Sequence, residues 1–212
     1  AGDDQVRSVL VDAAGPTFSS GGDVRYFAEV PDNERPSRLR RLASVLGAEV
    51  QRLSGLAKPV VAGVRGAVAG AGLSFLLNAD LVVAGRSTRL VAAYSSLALT
   101  PDCGISYLLP RAIGLPRALE LLLTGRVLDA EQARDWGLVN EVVQDEKLTQ
   151  RALELATWLA AEPTFALAET KRLVRSSWEM SRDASAADEV RTISDAVQSP
   201  DSTRRIQHFI SH

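Results

Sequence analysis

Apolar and polar residues in the first half of the chain follow two alternating patterns. Three short, mostly apolar runs, at residues 6–12, 60–64 and 81–84, predict buried strands. Between the first two runs, residues 38–53 predict an amphipathic helix whose apolar face is formed by Leu42, Leu46, Val50 and Leu53. A second helix is predicted from the glycine turn at residue 70 to residue 77. Connections of this length favour parallel strand pairing and right-handed crossovers.

The second half of the chain has mainly helical patterns. Asp129 and Gln132 have the spacing of a capping box, and Gly137 is placed to end the helix that they begin. Residues 138–143 predict one more short strand, and residues 146–212 predict three or four helices. We therefore expect an α/β core over residues 1–142 and a helical region over residues 143–212.

Composition restricts the class of protein without identifying it. Hydrophobic residues make up 46% of the 212 residues and charged residues 24%, which is typical of a folded protein. The net charge of −2 argues against nucleic acid as the main partner. No apolar run has the length of a membrane span, and no Cys/His grouping has the spacing of metal ligands. Cys103, the single cysteine, excludes a disulfide within the chain and fits a reducing compartment, so we expect a cytoplasmic protein.

Two glycine-bearing turns carry the strongest chemical signal. The first is FSSGGDV at residues 18–24, and the second is GAVAGAG at residues 66–72. Residues this small leave their backbone N–H groups uncovered, so that the groups can point at a ligand oxygen. Two such turns side by side form an oxyanion hole, which stabilises charge developing on a carbonyl oxygen. The pair indicates an enzyme that acts on an acyl group, with tight packing of the turns as the alternative explanation.

Seven short segments occur in an order that is more specific than any one of them. They are FSSGGDV at 18–24, KPVVA at 58–62, GAVAGAGLSFLL at 66–77, DLVVA at 80–84, PDCG at 101–104, LTG at 123–125 and DWGLV at 135–139. The ordered set resembles the crotonase, or enoyl-CoA hydratase/isomerase, superfamily over nearly the whole chain. The family's opening strands and helix have no counterpart before Val6, so we expect about forty to fifty residues of the family fold to be missing.

The resemblance implies a crotonase-like fold, a spiral of ββα and βαβ turns with a helical C-terminal region. It implies that the N–H groups of Gly22 and Ala71 form the oxyanion hole for a coenzyme A thioester, with Ser20 and Gly70 beside the substrate. Coenzyme A enters as part of the substrate, and no tightly bound cofactor or metal is implied. The family also implies a homotrimer or homohexamer held by the C-terminal region. From the charge and the apolar runs described above, we expect no nucleic-acid or membrane partner.

Two further residues match positions that lie near coenzyme A in the family. Arg25 matches a basic residue near the adenine or the phosphates, although an exposed, solvated arginine explains it equally well. The C-terminal helices of a neighbouring subunit often cover the coenzyme A site in this family. The resemblance therefore places Phe209 as a residue that contacts coenzyme A.

The sequence departs from the family at the two glutamates with which hydratases position a water and deliver a proton. The aligned positions are Ser74 and Tyr94, and neither side chain can act as a carboxylate base. Ser74 can still hold a water molecule. Tyr94 lines the acyl pocket, donates a hydrogen bond or belongs to the core. Ordinary two-glutamate hydration is therefore not expected.

Asp102 is the remaining candidate for catalysis. Some isomerases of the family place an acid/base aspartate at this position, and the related dehalogenases place a nucleophilic aspartate there. The alternative is that Asp102 caps the helix that follows it. We expect double-bond isomerisation through an enolate. Hydration without the glutamate pair, hydrolysis or dehalogenation by Asp102, and non-catalytic acyl-CoA binding are the alternatives.

Overall fold

Short strands and longer helices alternate through the first two thirds of the chain. The computed structural model describes residues 2–211, so Ala1 and His212, at the ends of the two predicted regions, lie outside the described residues. Within this range seven strands occur, at Val9–Val11 (β1), Val60–Val64 (β2), Ala67–Ala69 (β3), Leu81–Gly85 (β4), Arg89–Val91 (β5), Val127–Asp129 (β6) and Glu141–Val143 (β7). The α-helices of the same range lie at Val24–Glu29 (α1), Arg35–Ser54 (α2), Gly72–Asn78 (α3), Ile105–Ile113 (α4), Leu115–Thr124 (α5), Ala130–Asp135 (α6), Leu148–Ala161 (α7), Thr164–Ser176 (α8), Arg182–Val197 (α9) and Pro200–Ile210 (α10). The predicted α/β class is confirmed.

The larger sheet is parallel, with the strand order β1-β2-β4-β7. All residues of β2 are buried, because helices cover both faces of the sheet. On one face α7 packs against Val61 and Val83 through Leu148, Ala152 and Ala156. On the other face α3 and α4 close the main core. The strands predicted at residues 60–64 and 81–84 are confirmed, whereas the one predicted at residues 6–12 is limited to Val9–Val11, the residues that pair with β2.

A smaller sheet, with the strand order β3-β5-β6, is absent from the sequence-based prediction. β3 and β5 are parallel, and β5 and β6 are antiparallel. Each of these strands has only three residues, which is too short for an apolar period to be recognised. The sheet matters because β3 leads into the second glycine turn and β5 leads toward Tyr94.

Helix α6 begins with the predicted capping box. The backbone N–H of Gln132 donates to Asp129 Oδ1 at 2.8 Å, and the backbone N–H of Asp129 donates to Gln132 Oε1 at 3.1 Å. Gly137 follows the helix with φ +89°, in the left-handed region that glycine adopts without strain. The predicted start and end of this helix are both confirmed.

Helix α8 anchors the C-terminal end of α3 to the rest of the protein. Arg175 donates to Asp80 Oδ1 at 2.9 Å and to the carbonyl oxygen of Asn78 at 3.1 Å. Lys171 Nζ lies 2.8 Å from Asp80 Oδ2, and burial lowers the pKa of this lysine while Asp80 opposes the change. Because the N-terminus of α3 carries the second glycine turn, these contacts help to hold that turn in place.

Over residues 146–211 the structure has four α-helices, α7 to α10, in agreement with the prediction of three or four. Helices α8 and α9 are joined by an ion pair in which Arg172 Nη1 lies 2.6 Å from Asp188 Oδ2. The hydrogen bond from Arg172 lowers the pKa of Asp188. Within residues 2–211, no helix combines the length and the hydropathy that a bilayer crossing requires.

Candidate active site

The structure brings the two glycine turns into direct contact. The N–H of Ser19 donates to the carbonyl oxygen of Ala67 at 3.0 Å, and the N–H of Ala69 donates to the carbonyl oxygen of Ser19 at 2.9 Å. This pairing extends β3 by one isolated bridge between Ser19 and Val68. The first turn therefore lies beside the second one as an additional edge of the smaller sheet.

Two positions in the contact have no room for a side chain. A Cβ atom at Gly21 would lie 2.9 Å from the carbonyl oxygen of Ala69, and φ at Gly21 is +88°. A Cβ atom at Gly72 would lie 2.8 Å from Cβ of Ser19. These distances are shorter than van der Waals contact, so glycine at both positions is what allows the turns to meet.

The N–H groups of Gly22 and Ala71 have no acceptor among residues 2–211, unlike those of the residues directly before them. The N–H of Gly21 donates to Ser19 Oγ at 3.3 Å, and the N–H of Gly70 donates to the carbonyl oxygen of Val91 at 3.1 Å. Gly22 is exposed and Ala71 is half-buried. Two uncommitted donors on adjoining turns are the arrangement that an oxyanion hole requires.

Ser74 lies inside α3 and supports the second turn. Its side chain is fully buried, and its hydroxyl donates to the carbonyl oxygen of Ala71 at 2.6 Å. The hydroxyl proton is thus committed within the helix. The predicted contact between Ser74 and substrate stays a prediction.

Tyr94 and Asp102 form a hydrogen-bonded pair in the segment next to the second turn. The phenol hydroxyl of Tyr94 donates to Asp102 Oδ1 at 2.7 Å, with Tyr94 buried and Asp102 half-buried. The segment adjoins the turn because the N–H of Gly70 bonds the carbonyl oxygen of Val91 at 3.1 Å. Burial raises the pKa of Tyr94 well above its ordinary value, and the hydrogen bond and charge of Asp102 add to the effect.

Asp102 does not cap the helix that follows it. The N-cap of α4 is Gly104, with φ +81°, and no side chain caps this helix. The carboxylate of Asp102 bonds Tyr94 instead, and its backbone carbonyl accepts the N–H of Ile105 at 3.0 Å. The capping alternative for Asp102 is therefore wrong. A glycine in the left-handed region has taken the N-cap position, which frees the carboxylate for another contact.

Cys103 is a neutral packing residue at neutral pH. Burial raises the pKa of its thiol to about 11, and the charge of Asp102 adds to the shift. Its Sγ atom lies 3.9 Å from the carbonyl oxygen of Ala43 in α2. A thiol with this pKa is poorly ionised at pH 7 and so is a weak nucleophile.

The remaining residues predicted to contact coenzyme A lie on the surface. Ser20 and Arg25 are exposed on the first turn and on α1, and Arg25 forms no ion pair among residues 2–211. Phe209 is 85% exposed on α10, which packs on α9. Contacts from these three residues to coenzyme A stay predictions. Asp23, by contrast, caps α1 by accepting the N–H groups of Arg25 and Tyr26.

A cavity of about 780 Å³ lies between α2, α4 and α8, away from the paired turns. Cys103, Gly104 and Tyr107 line it on one side and Lys171 and Arg175 on the other, but neither the turns nor Asp102 contributes to its wall. It is therefore not evidence for the position of an acyl group. Within the part of the chain that the structure describes, no group of three or more His, Cys, Asp or Glu residues is arranged to hold a metal ion.

Comparison with known proteins identifies the class of protein that this fold and site represent. The family described as enoyl-CoA hydratase/isomerase matches residues 1–211. The chain therefore belongs to the enoyl-CoA hydratase/isomerase family, and the predicted resemblance is confirmed. A crystal structure of an enoyl-CoA hydratase from Polaromonas sp. JS666 matches with a TM-score of 0.93 and 30% identity, over 99% of this chain and 81% of that one. The crotonase fold is confirmed with it.

Two curated relatives show which reactions occur among similar sequences. The 1,2-epoxyphenylacetyl-CoA isomerase of Escherichia coli (strain K12) is 41% identical over 175 residues, which are 82% of this chain and 67% of the relative. The 4-chlorobenzoyl coenzyme A dehalogenase-1 of Arthrobacter sp is 31% identical over 209 residues, which are 99% of this chain and 76% of the relative. The family resemblance thus includes both isomerases and dehalogenases.

The contact between the turns yields a prediction at Gly21. Gly21→Ala should push the first turn away from Ala69 and displace the N–H of Gly22, since the new Cβ has no space. We expect acyl-CoA turnover to fall by at least ~10²-fold, the usual effect of losing one oxyanion-hole donor. Steady-state kinetics checks this result. Gly15→Ala is the matched control, because its Cβ would meet nothing within 4 Å. Near-normal turnover in a folded Gly21→Ala variant would contradict the role of the turn.

Proposed function

We propose that this protein is an acyl-CoA isomerase that moves a double bond by proton transfer next to the thioester. The observation that carries the proposal is the position of Asp102. Its carboxylate is held by Tyr94, in a segment that adjoins the second turn through the hydrogen bond from the N–H of Gly70 to Val91. A base next to an oxyanion hole is what removal of a proton alpha to a carbonyl requires.

In the proposed reaction, one proton leaves a carbon of the substrate and returns to another. The carboxylate of Asp102 removes a proton from C2 of a 3-enoyl-CoA, and the electron pair moves into the thioester oxygen to form a dienolate. The N–H groups of Gly22 and Ala71 donate to this oxygen and stabilise its charge. The carboxylic acid then returns the proton to C4, which leaves the double bond between C2 and C3. No water is added, so the missing glutamate pair at Ser74 and Tyr94 does not obstruct this reaction.

The similarity to the E. coli isomerase supports this choice among the reactions of the family. Dehalogenation or hydrolysis with Asp102 as a nucleophile is the second candidate. It is favoured by the match to the Arthrobacter dehalogenase over almost the full length of this chain. The two candidates differ in one intermediate: a nucleophilic aspartate forms a covalent bond to the acyl group, whereas an acid/base aspartate does not.

Asp102→Asn tests the proposed base. Asparagine retains the size and an oxygen that can accept from Tyr94, but it cannot take up a proton. Isomerisation of a 3-enoyl-CoA should fall by ~10²–10⁴-fold, the usual contribution of general acid–base catalysis. Asp135→Asn, on the exposed end of α6, should retain wild-type turnover.

Two outcomes would contradict the assignment of Asp102 as the acid/base. Full activity of Asp102→Asn would remove Asp102 from the mechanism and favour non-catalytic acyl-CoA binding. An acyl-aspartyl adduct in single turnover of the wild type, detected by mass spectrometry, would favour the nucleophilic candidate.

Ligand class is tested by thermal denaturation. Coenzyme A thioesters should raise the Tm, because a ligand that binds only the folded state stabilises it, by about 2.7 kcal/mol at a hundredfold excess over the Kd. Free fatty acids and mononucleotides should give weak shifts or none, because each contains only part of the ligand. The absence of a shift with saturated, 2-enoyl and 3-enoyl thioesters alike would contradict the proposed substrate class.

We also propose that the protein forms a homotrimer, alone or as a pair of trimers, through its C-terminal helices. Helices α9 and α10 each expose a stripe of apolar residues at helical spacing, namely Val190, Ile193 and Val197 on α9 and Ile206, Phe209 and Ile210 on α10. Exposed apolar stripes of this kind mark surfaces that other protein covers. Such an assembly provides a route by which Phe209 of one protomer reaches the site of another.

Sedimentation of the purified protein tests the trimer. The wild type should have three or six times the chain mass of 22.7 kDa. Ile193→Asp should shift the population toward monomer, because a charge in an apolar interface is costly to desolvate. Asp195→Ser changes an exposed polar residue of the same helix and should leave the mass unchanged. A monomeric wild type would contradict the proposal.

A further inference from the structure

The two oxygens of the Asp102 carboxylate are in different environments. Oδ1 accepts the hydroxyl of Tyr94 at 2.7 Å. Among residues 2–211, the Cys103 thiol is the other side chain that interacts with this carboxylate, no N–H or O–H group donates to Oδ2, and no Lys or Arg forms an ion pair with the carboxylate. Oδ1 is therefore engaged by a strong donor, the phenol hydroxyl, whereas Oδ2 accepts no N–H or O–H group of these residues.

The backbone lies in the left-handed region at a residue next to each partner of this hydrogen bond. Ala93, directly before Tyr94, has φ +59°, and Cys103, directly after Asp102, has φ +50°. Left-handed backbone is unfavourable at a residue other than glycine, and it persists only where the surroundings enforce it. Left-handed backbone therefore lies directly before Tyr94 and directly after Asp102.

The loop between Tyr94 and Asp102 is also held by hydrogen bonds to the backbone of Tyr94. The carbonyl oxygen of Tyr94 accepts the N–H groups of Leu97 and Leu99, each at 3.0 Å, and Ala98 between them has φ +53°. Tyr94 as a whole is 8% exposed. These contacts fix the tyrosine, so that its hydroxyl is a donor of defined position.

Tyr94 keeps its proton under physiological conditions. Its pKa is raised by burial first and by Asp102 second, so the phenol remains a donor across the range in which enzymes work. The titratable neighbours of this phenol are Asp102 and the Cys103 thiol, whose pKa is also raised. Helix α2 approaches Cys103 through Ala43 and Gly47, which carry no charge. A proton relay through Tyr94 does not fit this environment.

We propose that Tyr94 is a positioning residue: it occupies Oδ1 of Asp102 and thereby presents Oδ2 as the oxygen that exchanges the proton with substrate. The inference rests on the proposed isomerase function, since it assigns a role toward the acid/base carboxylate. Tyr94 stands where hydratases of the family have a glutamate. In this chain the position serves to orient a carboxylate instead of supplying one.

Tyr94→Phe tests the proposal through the pH dependence of isomerisation. Loss of a hydrogen bond to a carboxylate favours its protonated form, so the acidic limb of the rate–pH profile should move to higher pH by roughly one unit. The kcat should fall about 10–100-fold, the equivalent of one hydrogen bond to a charged group, while KM changes little. Tyr107→Phe is the control, because its hydroxyl has no hydrogen-bond partner among residues 2–211.

A measurement independent of activity separates this proposal from the proposed function. Carbon-13 NMR of labelled aspartate carboxyls follows the titration of Asp102, with its signal assigned by its loss in Asp102→Asn. The titration midpoint should be higher in Tyr94→Phe than in the wild type. If Asp102→Asn is fully active but the midpoint moves, the isomerase mechanism fails and the orienting contact stands. An unchanged midpoint and unchanged acidic limb in Tyr94→Phe would overturn the positioning role.

A second variant tests the same positioning role if Tyr94→Phe does not fold. The chain has three tyrosines, so 3-fluorotyrosine incorporated into a Tyr26→Phe, Tyr107→Phe background replaces Tyr94 alone. Fluorination makes the phenol a stronger donor and should move the acidic limb to lower pH, opposite to the effect of phenylalanine. A role in packing alone predicts no movement, and that result would also overturn the proposal.

Discussion

The close contact between two backbone turns is the constraint on which the rest of the site depends. Ser19 pairs with Ala67 and Ala69 through two main-chain hydrogen bonds, and glycine at positions 21 and 72 removes the atoms that would keep the turns apart. The two donors that result, the N–H groups of Gly22 and Ala71, both belong to the backbone. Because backbone N–H groups are held by the strands and helices around them, their placement requires no side-chain ordering when a ligand binds.

The elements that sequence predicts well are those whose burial is complete. β2 and β4 are continuous apolar runs because helices cover both sheet faces, and the capping box of α6 is a local interaction of neighbouring residues. β3, β5 and β6 could not be predicted in the same way. Each is three residues long and exists because a distant segment pairs with it. The residues of the strand alone therefore do not reveal that a strand forms there.

The candidate site shows the same division between local and distant information. The small residues of the two turns are visible in the sequence, and so is an aspartate before a helix. The hydrogen bond of Asp102 to Tyr94 is not, since an N-capping aspartate has the same local pattern. The left-handed backbone at Cys103 and Gly104 decides between a helix cap and a bond to Tyr94, because it moves the start of α4 past Asp102. A run of Asp-Cys-Gly suggests a turn but does not determine where its carboxylate points.

A single oriented carboxylate favours one kind of chemistry over another. Hydration adds a nucleophile and a proton to opposite ends of a double bond, so it is served best by two groups, one for each. Moving a double bond within a thioester removes a proton and returns one, and the same carboxylate can do both if it reaches C2 and C4 from one side. In the proposed reaction, replacing a glutamate at position 94 by a tyrosine that bonds Asp102 then costs nothing in proton supply, because Asp102 alone carries the proton. It gains a fixed orientation, which matters more for a base that must reach two carbons from one position.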